Sequence, residues 1–239
     1  METNTKMINK VISTNTNTSW LKIIALITMT CDHIGKMFFP KITILQIVGR
    51  IAFPLFAYCL AVGCIYTHDI KKYASRLLLF AIISQPFYIM RFSANINQFI
   101  DNLTNFNIFF TLFIGVLTIW SIRDKRWIAL GLCLLFAAFV NIDYGLAGIV
   151  LIITFYIFIS KQKILFILVA LQLGMYFIYP GDVEFFGIEV NLQGFSLLAI
   201  PFIFAKERKK CEIKVNKYFF YIYYPVHFII LTLLKRILM

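Results

Sequence analysis

Charge is scarce in this chain, and acidic charge is scarcest. Of 239 residues, 14% are charged, with 11 Asp and Glu against 23 Lys and Arg. Soluble domains carry about 25% charged residues, so a water-soluble globule is excluded as the class. Cysteine is sparse too. Its five copies (Cys31, Cys59, Cys64, Cys133, Cys211) show no paired-ligand spacing. They read as small core residues, with neither a disulfide framework nor a zinc site. There is no GxSxG, no HExxH and no metal-ligand pair, which removes the common hydrolase chemistries and leaves no metal to expect.

What fills the chain is apolar surface. Hydrophobic residues make up 61% of it, and the mean hydropathy is +0.83. Repeated apolar runs near 20 residues indicate a polytopic α-helical membrane protein; an outer-membrane barrel would show shorter alternating segments. The expected fold is an all-α transmembrane bundle of about nine spans, at roughly 20–39, 43–66, 73–90, 106–122, 127–141, 144–160, 163–180, 191–205 and 218–236. The fifth and eighth are short enough to be tilted, re-entrant or partly inserted. Residues 1–19 form a polar tail rich in Asn and Thr, expected to be disordered. No cleavable signal is expected, because the first apolar run is too long and holds Asp32 and His33. Residues 20–239 form one transmembrane domain.

The net charge of +12 sits in the connections. It reads as a topology signal and as contact with anionic headgroups rather than as a nucleic-acid surface, with binding of an anionic cosubstrate as the second reading. Lys71 and Lys72 follow span 2. Arg123, Lys125 and Arg126 follow span 4, Lys161 and Lys163 follow span 6, and a cluster from Lys206 to Lys217 follows span 8. The alternate connections hold Asp101, Asp143, Asp182, Glu184 and Glu189. By the positive-inside rule the N-terminus is cytoplasmic, in a bacterial cytoplasmic membrane.

Within this frame the polar residues stand out. Span 1 holds Asp32 and His33, and span 2 holds Arg50. Each costs roughly 2.5–3.5 kcal/mol to insert, so such groups face a polar interior. At 1.5 Å per residue, Asp32 and Arg50 come out about 10 Å below the outer face and His227 roughly 10–14 Å below it. Ser84, Gln85, Asn107, Asn141, Asp143 and Tyr144 fall in the same layer. His33 is the first choice as general base, with Asp32 as its orienter or as partner of Arg50. The competing reading is a buried Asp32–Arg50 ion pair that only holds the hairpin together. Gly49 permits close helix approach, Pro54 kinks span 2, and the Arg50 fork suits a carboxylate or phosphate. His227 is a second base or an oxyanion donor; the aromatic run before it reads first as an interfacial belt. Gln85, Asn107, Asp143 and Tyr144 are substrate-binding candidates, although Asn107 and Asp143 also read as helix caps.

Six segments occur in order: DHIG at 32–35, VGRIAFPLFAY at 48–58, HDIKKYASRLLLFAIISQPFY at 68–88, NIFFTLFIG at 107–115, DYGLAGIVLI at 143–152 and YFFYIYYPVH at 218–227. As a set they resemble the TraX family, named after the conjugal-transfer protein that N-acetylates F-type pilin and related to membrane-embedded acyltransferases. The resemblance covers essentially everything after residue 19. It implies transfer of an acetyl or acyl group from cytoplasmic acetyl-CoA to an amine or hydroxyl of an exported, pilin-like peptide or an envelope glycan. It also makes Asp32, His33, Arg50 and His227 the positions matching the family's polar motifs. Lys71, Lys72, Arg123 and Arg126 would then meet the polyanionic CoA. The rival readings are a transporter or flippase, and a non-catalytic partner of a conjugation or secretion system.

Overall fold

The computed structural model describes residues 18–91, 93, 95–158, 183–185, 188–205 and 215–238. The tail before Thr18, the seventh expected span at 163–180 and the basic cluster at 206–214 lie outside the described residues. Two compact units divide the chain. The first comprises Met1–Val62 and Thr154–Lys214; the second comprises Gly63–Ile153 and Val215–Met239. Among the described residues, three helical stretches are long and apolar enough to cross a membrane: Thr43–Tyr66, Ile70–Met90 and Tyr218–Leu238. Four shorter apolar helices accompany them.

The first unit opens with α1 (Ser19–Phe38). Its buried positions Leu21, Ala25, Met29 and Asp32 recur at three- and four-residue spacing, so Asp32 lies on the packed stripe. Ile27, off that stripe, is exposed. Thr28 and Thr30 return their hydroxyls to carbonyls one turn back, Thr30 to Leu26 at 2.8 Å, which satisfies them inside an apolar helix. A short turn leads into α2 (Thr43–Gly49) and then α3 (Ala52–Tyr66). Together they cover the expected second span, but the helix breaks at Arg50 and Ile51 rather than bending. The cause is Pro54, whose missing N–H leaves the Arg50 carbonyl four residues earlier without its helical donor. α3 carries Leu55, Ala57, Tyr58 and Ala61 at 1% exposure or less. It is apolar all round, as a fully enclosed helix is. Tyr58 packs edge-on against Phe155, with ring centroids 5.6 Å apart.

Among the described residues, one pair of strands stands apart from the helices. In the acidic stretch 182–189, β1 (Val183–Phe185) and β2 (Ile188–Val190) form an antiparallel hairpin that pairs Glu184 with Glu189. Apolar residues alternate with glutamate there, a period of two rather than 3.6. The eighth span follows as a 3₁₀ helix (Leu192–Ala199) running into α9 (Ile200–Phe204). Its Pro201 lies at the start of α9, where a missing N–H is tolerated.

The second unit is built on α4 (Ile70–Met90), α6 (Ile108–Arg123) and α10 (Lys217–Leu238). Between α4 and α6 lies α5 (Ile96–Asp101), a short helix absent from the sequence reading. α7 (Trp127–Phe139) and α8 (Gly145–Ile157) follow α6. Asp69, Asn95 and Asn107 cap α4, α5 and α6 with their side-chain oxygens, each satisfying an orphan N–H of the first turn. The aromatic run of α10 is not simply a belt. Tyr221 stacks on Phe80 of α4 at 5.1 Å, and Tyr224 meets Phe109 of α6 at 4.9 Å. Tyr88 meets Phe228 at 6.0 Å. The contacts advance along both α4 and α10 together, so these two helices run parallel.

Candidate active site

In the first unit the polar residues of α1 and α2 meet. Asp32 Oδ1 accepts from Arg50 Nη2 at 2.6 Å, and Asp32 Oδ2 pairs with Lys36 Nζ at 2.7 Å. Of the two roles expected of Asp32, the geometry shows the partner of Arg50. Lys36 was not foreseen, although its i,i+4 spacing from Asp32 marks it. Its side chain stays 42% exposed, while its ammonium reaches back to the Asp32 carboxylate. Arg50 is further fixed by its Nε donating to the Gln46 carbonyl at 3.4 Å. Asp32, His33 and Arg50 are each under 10% exposed.

Glycine makes this contact possible. A Cβ on Gly49 would stand 2.2 Å from Asp32 Cβ and 2.6 Å from Asp32 Oδ1. A Cβ on Gly35 would stand 2.8 Å from Leu45 Cβ. The two helices therefore touch backbone to side chain at both positions, and only glycine fits. Chemically, one carboxylate faces two cations. His33, the next residue of α1, is buried as well, and cations held in this way can support a developing oxyanion.

The remaining sequence candidates lie in the second unit, at the end of α4 and the start of α6. Gln85 and Asn107 bond to each other and to backbone. Asn107 Nδ2 donates to Gln85 Oε1 at 2.7 Å and to the Ala81 carbonyl at 2.8 Å. Gln85 Nε2 donates to the Asn105 carbonyl at 2.7 Å, and Asn107 Oδ1 accepts from the Phe109 N–H at 2.9 Å. These two amides form a polar strut between helices.

Asp143 and Tyr144 instead line an open cleft of about 630 Å³ with Tyr88, Gln98, Asn102, Asn105, Phe106, Asn141 and Ile142. Backbone bonds fix its floor: Phe106 N–H donates to the Asn141 carbonyl and Asp143 N–H to the Phe106 carbonyl. Thr111 adds its hydroxyl to the Asp143 carbonyl.

Behind Tyr88 stand two further groups. The Arg91 guanidinium lies 4.3 Å from the Tyr88 ring centroid and 5.0 Å from that of Phe228, a cation–π arrangement. His227 is buried, with Nδ1 3.2 Å from the Tyr223 carbonyl and its ring 4.2 Å from Phe228. Arg91 escaped the sequence reading. Its signal was being the lone Arg at the end of a span whose following connection is acidic.

The opposite end of the same helices is basic. Lys71 and Arg126 lie 5.9 and 5.6 Å from the Trp120 ring. Trp120 Nε1 donates to Asp124 at 2.7 Å, and Arg123 Nε reaches Asp124 at 3.3 Å. Slight burial works to raise the Asp124 carboxyl, but the Trp120 bond and Arg123 outweigh it and hold it below its ordinary range. Lys72 sits apart from this group and pairs with Asp69 at 3.5 Å. Three of the four cofactor candidates, Lys71, Arg123 and Arg126, thus gather on one surface. The 21 residues of α4 separate that surface from the cleft, about 30 Å at 1.5 Å per residue. Among the described residues, no three His, Cys, Asp or Glu side chains group as a metal site would require.

Comparison with known proteins adds the following. A family model described as TraX protein matches residues 17–235. The probable fimbrial assembly protein FimC, serogroup H1, of Dichelobacter nodosus is 28% identical over 240 residues, covering 91% of this chain and 95% of the relative. The uncharacterized protein RP591 of Rickettsia prowazekii (strain Madrid E) is 30% identical over 142 residues, 56% of this chain and 52% of its own. No solved structure matches.

Proposed function

The chain belongs to the TraX family, and from that membership we propose that it is a multi-pass acyltransferase of the bacterial cytoplasmic membrane. It moves an acyl group from cytoplasmic acetyl-CoA or a related acyl-CoA to an amine or hydroxyl of an exported peptide or envelope glycan. The observation that carries this reading is the buried Asp32–Arg50 pair, joined by the half-exposed Lys36, with the buried His33 next to Asp32 in the chain. Ionisable groups are expensive at membrane depth and mark function there by default. The basic surface at Lys71, Arg123 and Arg126 supports a cytoplasmic polyanion, and its separation from the cleft by one helix length supports two sides with different tasks. Nine crossings with a cytoplasmic N-terminus complete the reading.

In this mechanism His33 takes the proton of the acceptor amine or hydroxyl as that atom attacks the thioester carbonyl. Arg50, oriented by Asp32, donates an N–H to the oxyanion. The C–S bond breaks, CoA leaves as thiolate, and the imidazolium returns the proton to it. His227 is the second choice as base. Free CoA release by purified protein in nanodiscs, supplied with acetyl-CoA, tests this. His33→Gln and His33→Ala should each lower release by at least about 100-fold, the scale of lost general-base catalysis, without moving the thermal midpoint. Full turnover in either variant removes His33 as base.

The name of the Dichelobacter relative, a probable fimbrial assembly protein, favours a second reading, a non-catalytic partner in envelope assembly. Folded wild-type protein that neither binds nor turns over acetyl-CoA would put that reading, or the transport of an anionic cargo, first.

A further inference from the structure

We propose that the cleft at the end of α4 is a carbohydrate subsite that binds a neutral sugar unit of an envelope glycan. The inference rests on the acyl-transfer reading and names its acceptor. Three observations carry it.

The first is the lining. Gln98, Asn102, Asn105 and Asn141 contribute four carboxamides, and Tyr88, Phe106 and Tyr144 contribute three aromatic rings. A carboxamide both donates and accepts, as a sugar hydroxyl does. Three of the amides are already ordered in a chain: Asn141 donates to Asn105, Asn105 to Asn102 at 2.7 Å, and Asn102 to the Gln98 backbone carbonyl at 2.7 Å. A preordered donor–acceptor row loses little entropy when a ligand docks. At about 630 Å³ the cleft lies within the ~300–1,000 Å³ of ligand sites.

The second is charge balance. Asp143 is the one acid among the residues that line the cleft, and no Lys, Arg or His lines it. An anion would face that carboxylate with no lining cation to meet it, and the rest of the lining is amides, rings and Ile142. A neutral, hydroxyl-rich ligand suits this arrangement best.

The third is strain. Tyr144 holds φ at 64°, in the left-handed region. A bulky residue there is an outlier that the surrounding structure must hold in place, and such residues cluster at ligand sites. Nearby, α5 exposes Ile96 and Ile100, and Leu103 continues that side one turn on, while Gln98 and Asn102 line the cleft. That two-sidedness sets the cleft at the membrane–water boundary, where a glycan would approach.

The test uses saturation-transfer NMR on full-length protein in nanodiscs. The probes are N,N′-diacetylchitobiose, a neutral disaccharide, and an eight-residue peptide with a free amino terminus. Chitobiose should receive saturation from wild type. Tyr144→Gly should weaken it by about tenfold, the upper range for one lost aromatic contact. Because glycine adopts φ 64° without strain, that relief offsets part of the lost side-chain contacts and the added chain entropy, and the thermal midpoint is read beside binding to check that the variant is folded. Asn141→Leu, which interrupts the amide row, should weaken it too. No chitobiose signal, equal binding by both variants, or binding of the peptide alone overturns the proposal. Acetyl-CoA turnover is read separately. Turnover without sugar binding sinks the subsite and leaves the transferase, whereas sugar binding without turnover supports the subsite and counts against the transferase alone.

Discussion

Replacing Gly49 with alanine tests the architecture of the α1–α2 contact at its tightest point. The added Cβ would meet Asp32 Cβ at 2.2 Å and Asp32 Cγ at 2.8 Å. Carbon atoms rest at about 3.5–4.0 Å, so the helices must part by more than an ångström or Asp32 must turn away. Overpacking of this kind costs about 1–3 kcal/mol. If the relief comes from Asp32, its 2.6 Å bond to Arg50 is lost, and breaking a buried pair costs about 3–5 kcal/mol. The expected destabilisation therefore lies between about 1 and 5 kcal/mol, and turnover falls with it because Arg50 loses its anchor. Thermal unfolding in nanodiscs and CoA release read the two effects. Gly131 in α7 supplies the control, since a Cβ there meets nothing within 4 Å. Gly131→Ala should be neutral or stabilise by up to about 1 kcal/mol. A Gly49→Ala protein with wild-type midpoint and turnover would show that the contact is not as close as described.

Two further outcomes follow from the second unit. Asn107→Leu removes the α6 cap together with the bonds to Gln85 and Ala81; it should destabilise by about 2–4 kcal/mol, a lost cap plus unpaired buried partners, read as a fall in midpoint. Asp69 caps α4, and the Lys72 N–H, then the Lys72 ammonium, hold its carboxyl below the ordinary value. Its folded pKa is depressed, so its contribution is present above the unfolded pKa and fades as pH falls through the folded one; Asp69→Ala should therefore flatten the acid limb of the midpoint–pH curve, and an unchanged limb would count against the cap.

The first-unit cluster was legible because its parts are costly. Asp32 and Arg50 sit in apolar runs on either side of a short hairpin, and two opposite charges placed there have little choice but each other. Lys36 was overlooked since a lysine near a helix end reads as an interface anchor, and only its i,i+4 offset from Asp32 distinguishes it. Pro54 announced a disturbance in span 2, but not that the helix would stop at Arg50. The hairpin at Val183–Phe185 and Ile188–Val190 was hidden by a pattern too short to compete with the surrounding spans. α5 was hidden in a connection defined only by its lack of Lys and Arg.

Depth along a helix can be counted from sequence; direction around it cannot. Gln85, Asn107, Asn141, Asp143 and Tyr144 all fall at one end of the second unit, as counting residues places them. Yet they do different things. Gln85 and Asn107 spend their polar atoms on each other and on the backbone at Ala81, Asn105 and Phe109, so altering them should act through stability. Asn141, Asp143 and Tyr144 line a cleft, so altering them should act on a ligand as well as on stability. The residue that separates these two groups most sharply is Tyr144. A strut would not need an aromatic ring in a left-handed backbone, where glycine is easier. Tyr144 holds that conformation against its own backbone preference and lines the cleft, so its replacement is the change that best separates a ligand-binding role from a structural one.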